Sequence, residues 1–214
     1  MYQNLPTANL DRTERDFLNA VRNGCDELVK RYYHQGVNIR CRTTDSETLD
    51  SYEAKAGLTA VHLAAWYGHD FLVNFLVDRG CPVDSEDFSG FRPIHFACAQ
   101  GRHSAFEALV KKGANCVGAA KDGWTCLHYA AQRGNEDIAR TLISKGGHPD
   151  WPEMRGWTPV HLCCQNGHAP ILKLLLHGGA VVNVQDHGGV SPLYLAAQNG
   201  FPHIVQILLQ HRAE

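Results

Sequence analysis

Apolar positions along this chain fall in short blocks, each bounded by glycine or proline. In "APILKLLLHGG" (169–179), Ile171, Leu174, Leu175 and Leu176 lie at helical spacing and predict a helix with one buried face. Just before it, "PVHLCCQNG" (159–167) predicts a shorter helix. Thr158-Pro159 opens that helix as a hydroxyl N-cap followed by proline at the first helical position, and Gly167 closes it. Gly178-Gly179 stops the second helix. "AVVNVQDHGG" (180–189) then reads as an extended stretch that turns back on itself, a β-hairpin-like finger with glycine-bearing turns. Ser191-Pro192 opens the next short helix in the same way as Thr158-Pro159.

The blocks keep a fixed interval. Gly57, Gly90, Gly123, Gly156 and Gly189 are thirty-three residues apart, and so are Gly68, Gly101, Gly134, Gly167 and Gly200. His62, His95, His128 and His161 keep the same step, with Tyr194 in the fifth place. Three series locked to one period define a repeat protein. One repeat has too small an apolar face to bury by itself, so neighbours must share theirs, which predicts a one-dimensional stack.

The lines "GWTPVHLCCQNGH" and "GWTCLHYAAQRGN" resemble the G-x-T-P-L-H-x-A-A-x-x-G core of the ankyrin repeat family. The resemblance implies an all-α solenoid of stacked helix-turn-helix units with β-hairpin-like finger loops. It covers five repeats, at 54–86, 87–119, 120–152, 153–185 and 186–214. Before them, "DFLNAVRNGCDELVKRYYHQGVNI" (16–39) has two helical blocks and both glycines, Gly24 and Gly36, but no T-P-L-H. Its charged face suits a degenerate N-terminal capping repeat. Residues 1–15 then form an N-terminal extension, and 16–53 comprises the cap plus an insertion. Gly24 and Gly68 are forty-four residues apart, so about eleven extra residues lie in the acidic, Ser/Thr-rich "CRTTDSETLDSYEAKAG", roughly 41–53. The insertion is either a tolerated surface loop or a loop that touches a partner. At the other end, Val205, Leu208 and Leu209 would lack a covering neighbour. Solenoids need polar caps, so the expectation is a C-terminally truncated array whose natural chain continues past Glu214.

Composition narrows the function. The formal net charge is −2 and the pI about 6.7, with no basic stripe, which argues against a nucleic-acid partner. The longest apolar runs are too short to insert in a membrane. The start is polar and charged, unlike a signal peptide. Eight scattered cysteines, several where small apolar residues would serve, fit reduced thiols and a cytoplasmic or nuclear chain. Cys98, Cys163 and Cys164 take places held by alanine in other repeats. No C-x-x-C pair, P-loop, G-x-G-x-x-G or G-x-S-x-G occurs, and no nucleophile has an evident base. Equivalent histidines in adjacent repeats sit on helices about 8–10 Å apart, whereas two ligands of one zinc lie within about 4 Å of each other. A shared metal is therefore not expected, and neither a cofactor nor enzymatic activity is. The resemblance implies that His62, His95, His128 and His161 are structural, bonding backbone and Thr hydroxyl groups to tie adjacent turns.

What remains is surface. The resemblance implies a concave face lined by finger tips and first helices, which binds a peptide or protein partner within a scaffold, adaptor or substrate-recruiting protein. Phe91, Trp124 and Trp157 follow the first glycine of their repeats; Phe88 and Met154 precede it, as does Arg155. Trp66-Tyr67 and Gln132-Arg133 are expected on the open side of the first helices, with exposed rings at Trp66 and Tyr67. Aromatic residues and arginine dominate interface energetics. An aromatic after that glycine can also pack on its own finger, so Trp124 and Trp157 stay open between contact and local packing. A second reading makes Trp124, Trp157, Arg133 and Arg155 a clamp for a nucleotide-type small molecule. Finally, the family is a frequent substrate of an asparaginyl hydroxylase acting on finger asparagines that follow an aliphatic residue and have leucine eight positions upstream. Asn183, with Val182 and Leu175, resembles such a site; Asn115, with Ala114 and Glu107, does not.

Overall fold

Paired short helices joined by links of two or three residues follow from the glycine spacing, and the computed structural model, which describes residues 10–43 and 57–213, contains them throughout. The chain divides into two units, residues 1–97 with 104–114, and residues 98–103 with 115–214.

In the first unit, α1 (Arg12–Arg22) and α2 (Asp26–His34) form one antiparallel pair, and α3 (Ala60–Tyr67) and α4 (Asp70–Asp78) the next. α5 (Pro93–Ala99) and α6 (His103–Lys111) follow, with most of their residues in this unit. α1 packs on α3 as well as on α2, so α3 is covered from several sides, and seven of its eight residues are buried. Helix α1 starts at Arg12, inside the stretch read as an N-terminal extension. The reason is a capping box: Asp11 accepts from the Glu14 amide at 2.7 Å while Glu14 reaches back to the Asp11 amide at 3.3 Å. D-x-x-E at 11–14 was the signal in the sequence.

In the second unit the pairs are α7 (Cys126–Arg133) with α8 (Glu136–Ser144), α9 (Pro159–Asn166) with α10 (Ala169–His177), and α11 (Pro192–Gln198) with α12 (Pro202–Gln210). The inner helices α7, α9 and α11 pack side by side, and so do the outer helices α8, α10 and α12. The core is their shared interior: Leu127, Ile138, Leu142, Val160, Ile171, Leu172, Leu175, Ile204 and Leu208 are all at most 2% exposed. Leu208 was expected to lack cover, but packing of α12 on both α10 and α11 buries it completely, while Leu209 is 55% exposed.

One link between paired helices shows why glycine is required. Gly134 has φ 78°, in the left-handed region, and a Cβ there would lie 2.8 Å from the His168 ring of the following pair. Gly24 is covered in the same way by His69, at 2.6 Å.

The expected β-hairpin fingers are not present. Among the described residues no strand forms, and β-structure is limited to the isolated bridges Arg42↔Thr59 and Ala119↔Thr125. Each finger is instead a tight turn closed by two backbone bonds, such as Asp87 N–H to the Phe91 carbonyl at 2.9 Å and Gly90 N–H to the Asp87 carbonyl at 3.0 Å. A ladder needs reciprocal bonds between facing residues. Here the turn amides are taken instead by an acidic side chain: Asp87 Oδ1 accepts from Ser89 and Phe91 N–H, both at 2.8 Å.

Most of the acidic insertion lies outside the described residues. Its edges are pinned together: Thr43 N–H donates to the Leu58 carbonyl at 2.8 Å and Gly57 N–H to the Thr43 carbonyl at 3.0 Å. Arg42 spans from the Gly57 carbonyl to that of Glu86, both at 2.8 Å.

Candidate partner-binding surface

The histidines set the frame on which any surface is presented. Thr59, Thr125 and Thr158 cap α3, α7 and α9, and the imidazole three residues on reaches back to the cap. Backbone N–H groups of Thr59, Thr125 and Thr158 donate to Nδ1 of His62, His128 and His161 at 3.0, 3.2 and 3.1 Å. A ring nitrogen that accepts carries no proton, so the proton sits on Nε2. Nε2–H then donates, at 3.1 Å in each case, to a finger carbonyl twenty-nine residues on: Phe91 for His62, Trp157 for His128 and Val190 for His161. Those carbonyls also accept the finger's own closing bond, so each histidine locks a helix start to the next finger. Burial pushes the His62 pKa down to about 3 and that of His128 down to about 4, and lowers that of His161. His95 is buried and accepts from Arg92 N–H at 2.9 Å. Arg92 stands where other repeats have threonine or serine. In the fifth place Tyr194 is 56% exposed, and Ser191 alone caps the helix, accepting from Tyr194 N–H at 3.2 Å.

A further set of clamps was missed in the sequence. His69 Nε2 bonds the Arg22 carbonyl at 3.0 Å and His168 Nε2 the Gln132 carbonyl at 3.1 Å. The signal was their position: His168 lies three repeat steps after His69, each directly after an inner-helix glycine.

In the first unit, Trp66 is only 7% exposed, its ring edge-on to Phe96 at 5.6 Å. The expectation of an exposed Trp66 is therefore corrected: Phe96, at the next inner helix, covers the last turn of α3. Tyr67 is half-buried, its hydroxyl accepting from Arg22 Nε at 2.8 Å and its ring stacked near His69 at 6.2 Å. Phe91 is half-buried between His95 and Phe96, with ring centroids at 5.9 and 6.1 Å. Phe88 is 55% exposed and lies over Gly57.

In the second unit, Trp124 is half-buried on Tyr129, at 4.8 Å between centroids, and on His128 at 5.6 Å. Trp157 is half-buried against His161 at 5.9 Å, and its indole N–H donates to Asp186 Oδ2 at 2.8 Å. Met154 is 70% exposed, yet its backbone is fixed by a 3.0 Å bond from its N–H to the Asp122 carbonyl. Arg133 and Arg155 are exposed and Gln132 is half-buried at the last turn of α7. Trp151, 45% exposed, was not singled out in the sequence, because it falls outside the glycine-flanking register. Asn183 is exposed, its amide donating to the Arg212 carbonyl at 3.1 Å.

A family model described as ankyrin repeats (3 copies) matches residues 17–120, 61–152, 115–186 and 147–214. The chain belongs to the ankyrin-repeat family. No curated protein matches it. Ankyrin repeats are a non-catalytic protein-interaction fold. Among the described residues, no group of three or more His, Cys, Asp or Glu could hold a metal ion. Nor is any helix there long and apolar enough to cross a membrane. Cys98, Cys163 and Cys164 are buried in inner helices of this ankyrin stack, where burial raises their thiol pKa values.

Proposed function

We propose that the chain is an interaction module of the scaffold, adaptor or substrate-recruiting kind, which docks a peptide or protein partner on its finger turns and adjoining inner-helix ends. The observation that carries this is Met154. A large apolar side chain, 70% exposed, stands on a turn whose backbone is held at both ends, by Met154 N–H to Asp122 and by Gly156 N–H to Glu153 at 2.8 Å. A fixed turn loses little conformational freedom on binding, so exposed apolar surface there converts efficiently into affinity. Arg133, Arg155 and the open faces of Trp124 and Trp157 offer further contact groups in the second unit. In the first unit Phe88 and Tyr67 offer the corresponding contact groups, while Trp66 is packed against Phe96.

The test compares one surface and one core substitution on the same preparation, against a partner obtained by affinity capture with the whole chain. Met154→Asp should leave the thermal unfolding midpoint unchanged and weaken binding by about 2 kcal/mol or more, as loss of an interface anchor does. Leu175→Ala, at a fully buried site, should lower stability by about 2–5 kcal/mol while the folded fraction binds normally. Unchanged affinity in Met154→Asp would remove the proposed surface.

A further inference from the structure

Two histidines of the second unit stand outside both sets of clamps. His177 is the last residue of α10 and His211 is the C-cap of α12. The repeat does not place them: thirty-three residues after His177 comes Gln210. Both side chains are exposed. Each ring is tied to its own helix through Nδ1, His177 to the Lys173 carbonyl at 2.6 Å and His211 to the Ile207 carbonyl at 2.9 Å. A carbonyl only accepts, so both Nδ1 atoms carry the proton and both Nε2 atoms carry a lone pair. This is the opposite tautomer to that of His62, His128 and His161, whose Nδ1 accepts from a backbone N–H. An imidazole that donates one N–H to a backbone carbonyl, with its other nitrogen unprotonated, has the arrangement that metal-ligating histidines adopt.

The two rings are also neighbours. α10 packs on α12, and the imidazoles lean together until their centroids are 6.4 Å apart, with planes at 71°. With a metal–nitrogen bond of about 2.0–2.1 Å, each ring centre stands about 3.2 Å from a bound ion, so two rings in line across it have centres about 6.4 Å apart and two at a tetrahedral angle about 5 Å. The observed separation matches the in-line pair, which a square-planar or tetragonal ion takes. The field at this place favours a cation, because two nine-residue helices end here with their negative poles. Neither α10 (APILKLLLH) nor α12 (PHIVQILLQ) contains an aspartate or glutamate. The cations nearest in sequence, Lys173 and Arg212, are exposed, so solvent screens their repulsion.

We propose that His177 and His211 form a binding site for a divalent transition-metal ion of tetragonal preference, copper(II) foremost, each ligating through Nε2 with water in the remaining positions. Copper(II) heads the affinity order of nitrogen sites and takes this geometry. The ion ties the C-terminal ends of α10 and α12 together, so its binding stabilises the last helix pairs of the stack. The site lies on outer helices and is independent of the docking surface put forward above.

The probe is copper(II) alone, added to the whole chain carrying Cys25→Ser, which removes an exposed thiol able to reduce or capture the ion. The pH is set at about 7.5, above the ordinary imidazole pKa. Electron paramagnetic resonance of the first equivalent should show an axial spectrum split by two nitrogens. His177→Ala and His211→Ala should each reduce that splitting to one nitrogen. Each should also weaken the first equivalent about a hundredfold or more, because the second imidazole no longer binds intramolecularly. Copper(II) should raise the unfolding midpoint of the Cys25→Ser chain and leave that of either histidine variant unmoved. All these positions are exposed, so the metal-free variants should match the parent chain in circular dichroism. His203→Ala, an exposed histidine two turns earlier on α12, should change neither spectrum nor affinity. A first equivalent that is indifferent to both His177→Ala and His211→Ala would overturn the site, as would one equally weakened by His203→Ala or one with no nitrogen splitting.

Discussion

His62, His128 and His161 each accept a backbone N–H on Nδ1, and this fixes what acid does to the protein. Protonating Nδ1 would aim a new N–H at an existing one, and burial already disfavours the charged ring, so the folded pKa values fall to about 3 for His62 and about 4 for His128. In the unfolded chain the same rings titrate near 6.5. Below that pH the unfolded state takes up protons that the folded state refuses. Stability is therefore complete above pH ~6.5 and falls as pH drops towards the folded values, by up to about 1.4 kcal/mol per pH unit for each such histidine. Urea unfolding at a series of pH values between about 7.5 and 5 should show this decline; a flat or rising profile would contradict the assigned tautomer. Asn183, exposed and preceded by Val182, is proposed as a hydroxylation site. Co-expression with an asparaginyl hydroxylase should add the mass of one oxygen atom to the peptide containing it, and an unmodified peptide would remove the proposal.

Helix ends were the most legible elements because their chemistry is local. Thr158-Pro159 and Gly167 bound α9 as their residue types require, and Gly167 has φ 83°. Two features were not legible. The fingers read as hairpins from their glycines and valines, but Asp87, Glu153 and Asp186 occupy the turn amides and the histidines occupy the carbonyls that a ladder would use. Trp66 read as exposed because its register holds glutamine in the second unit at Gln132, Gln165 and Gln198. Register tells which turn of the helix a residue is on, not how far a neighbour reaches. Phe96 reaches across Trp66, whereas Tyr129, one repeat later in the same register, packs on Trp124 instead. Trp66→Ala accordingly acts on stability, lowering it by about 3–5 kcal/mol, as truncation of a buried aromatic does. Chemical denaturation checks this, and a loss under about 1 kcal/mol would return Trp66 to the surface.

At the scale of the molecule, a net charge of −2 describes no part of it well. Acidic side chains are drawn into finger turns, as at Asp122, Glu153 and Asp186, or onto outer helices, where Glu136 pairs with Arg140 at 2.6 Å. Gln132, Gln165, Gln198 and Arg133 remain on the inner-helix ends of the second unit, and Arg155 on a finger. The repeat sequence thus does two jobs with separate residues. Threonine, histidine and glycine hold neighbouring turns in register, and the exposed positions between them are the proposed recognition surface. Hydrogen–deuterium exchange of the whole chain, with and without its captured partner, tests that division most directly. The account predicts added protection at the finger amides around Met154 and Arg155 and at the ends of α7, α9 and α11 near Gln132, Gln165 and Gln198, with α8, α10 and α12 unchanged. Protection confined to those outer helices would contradict it.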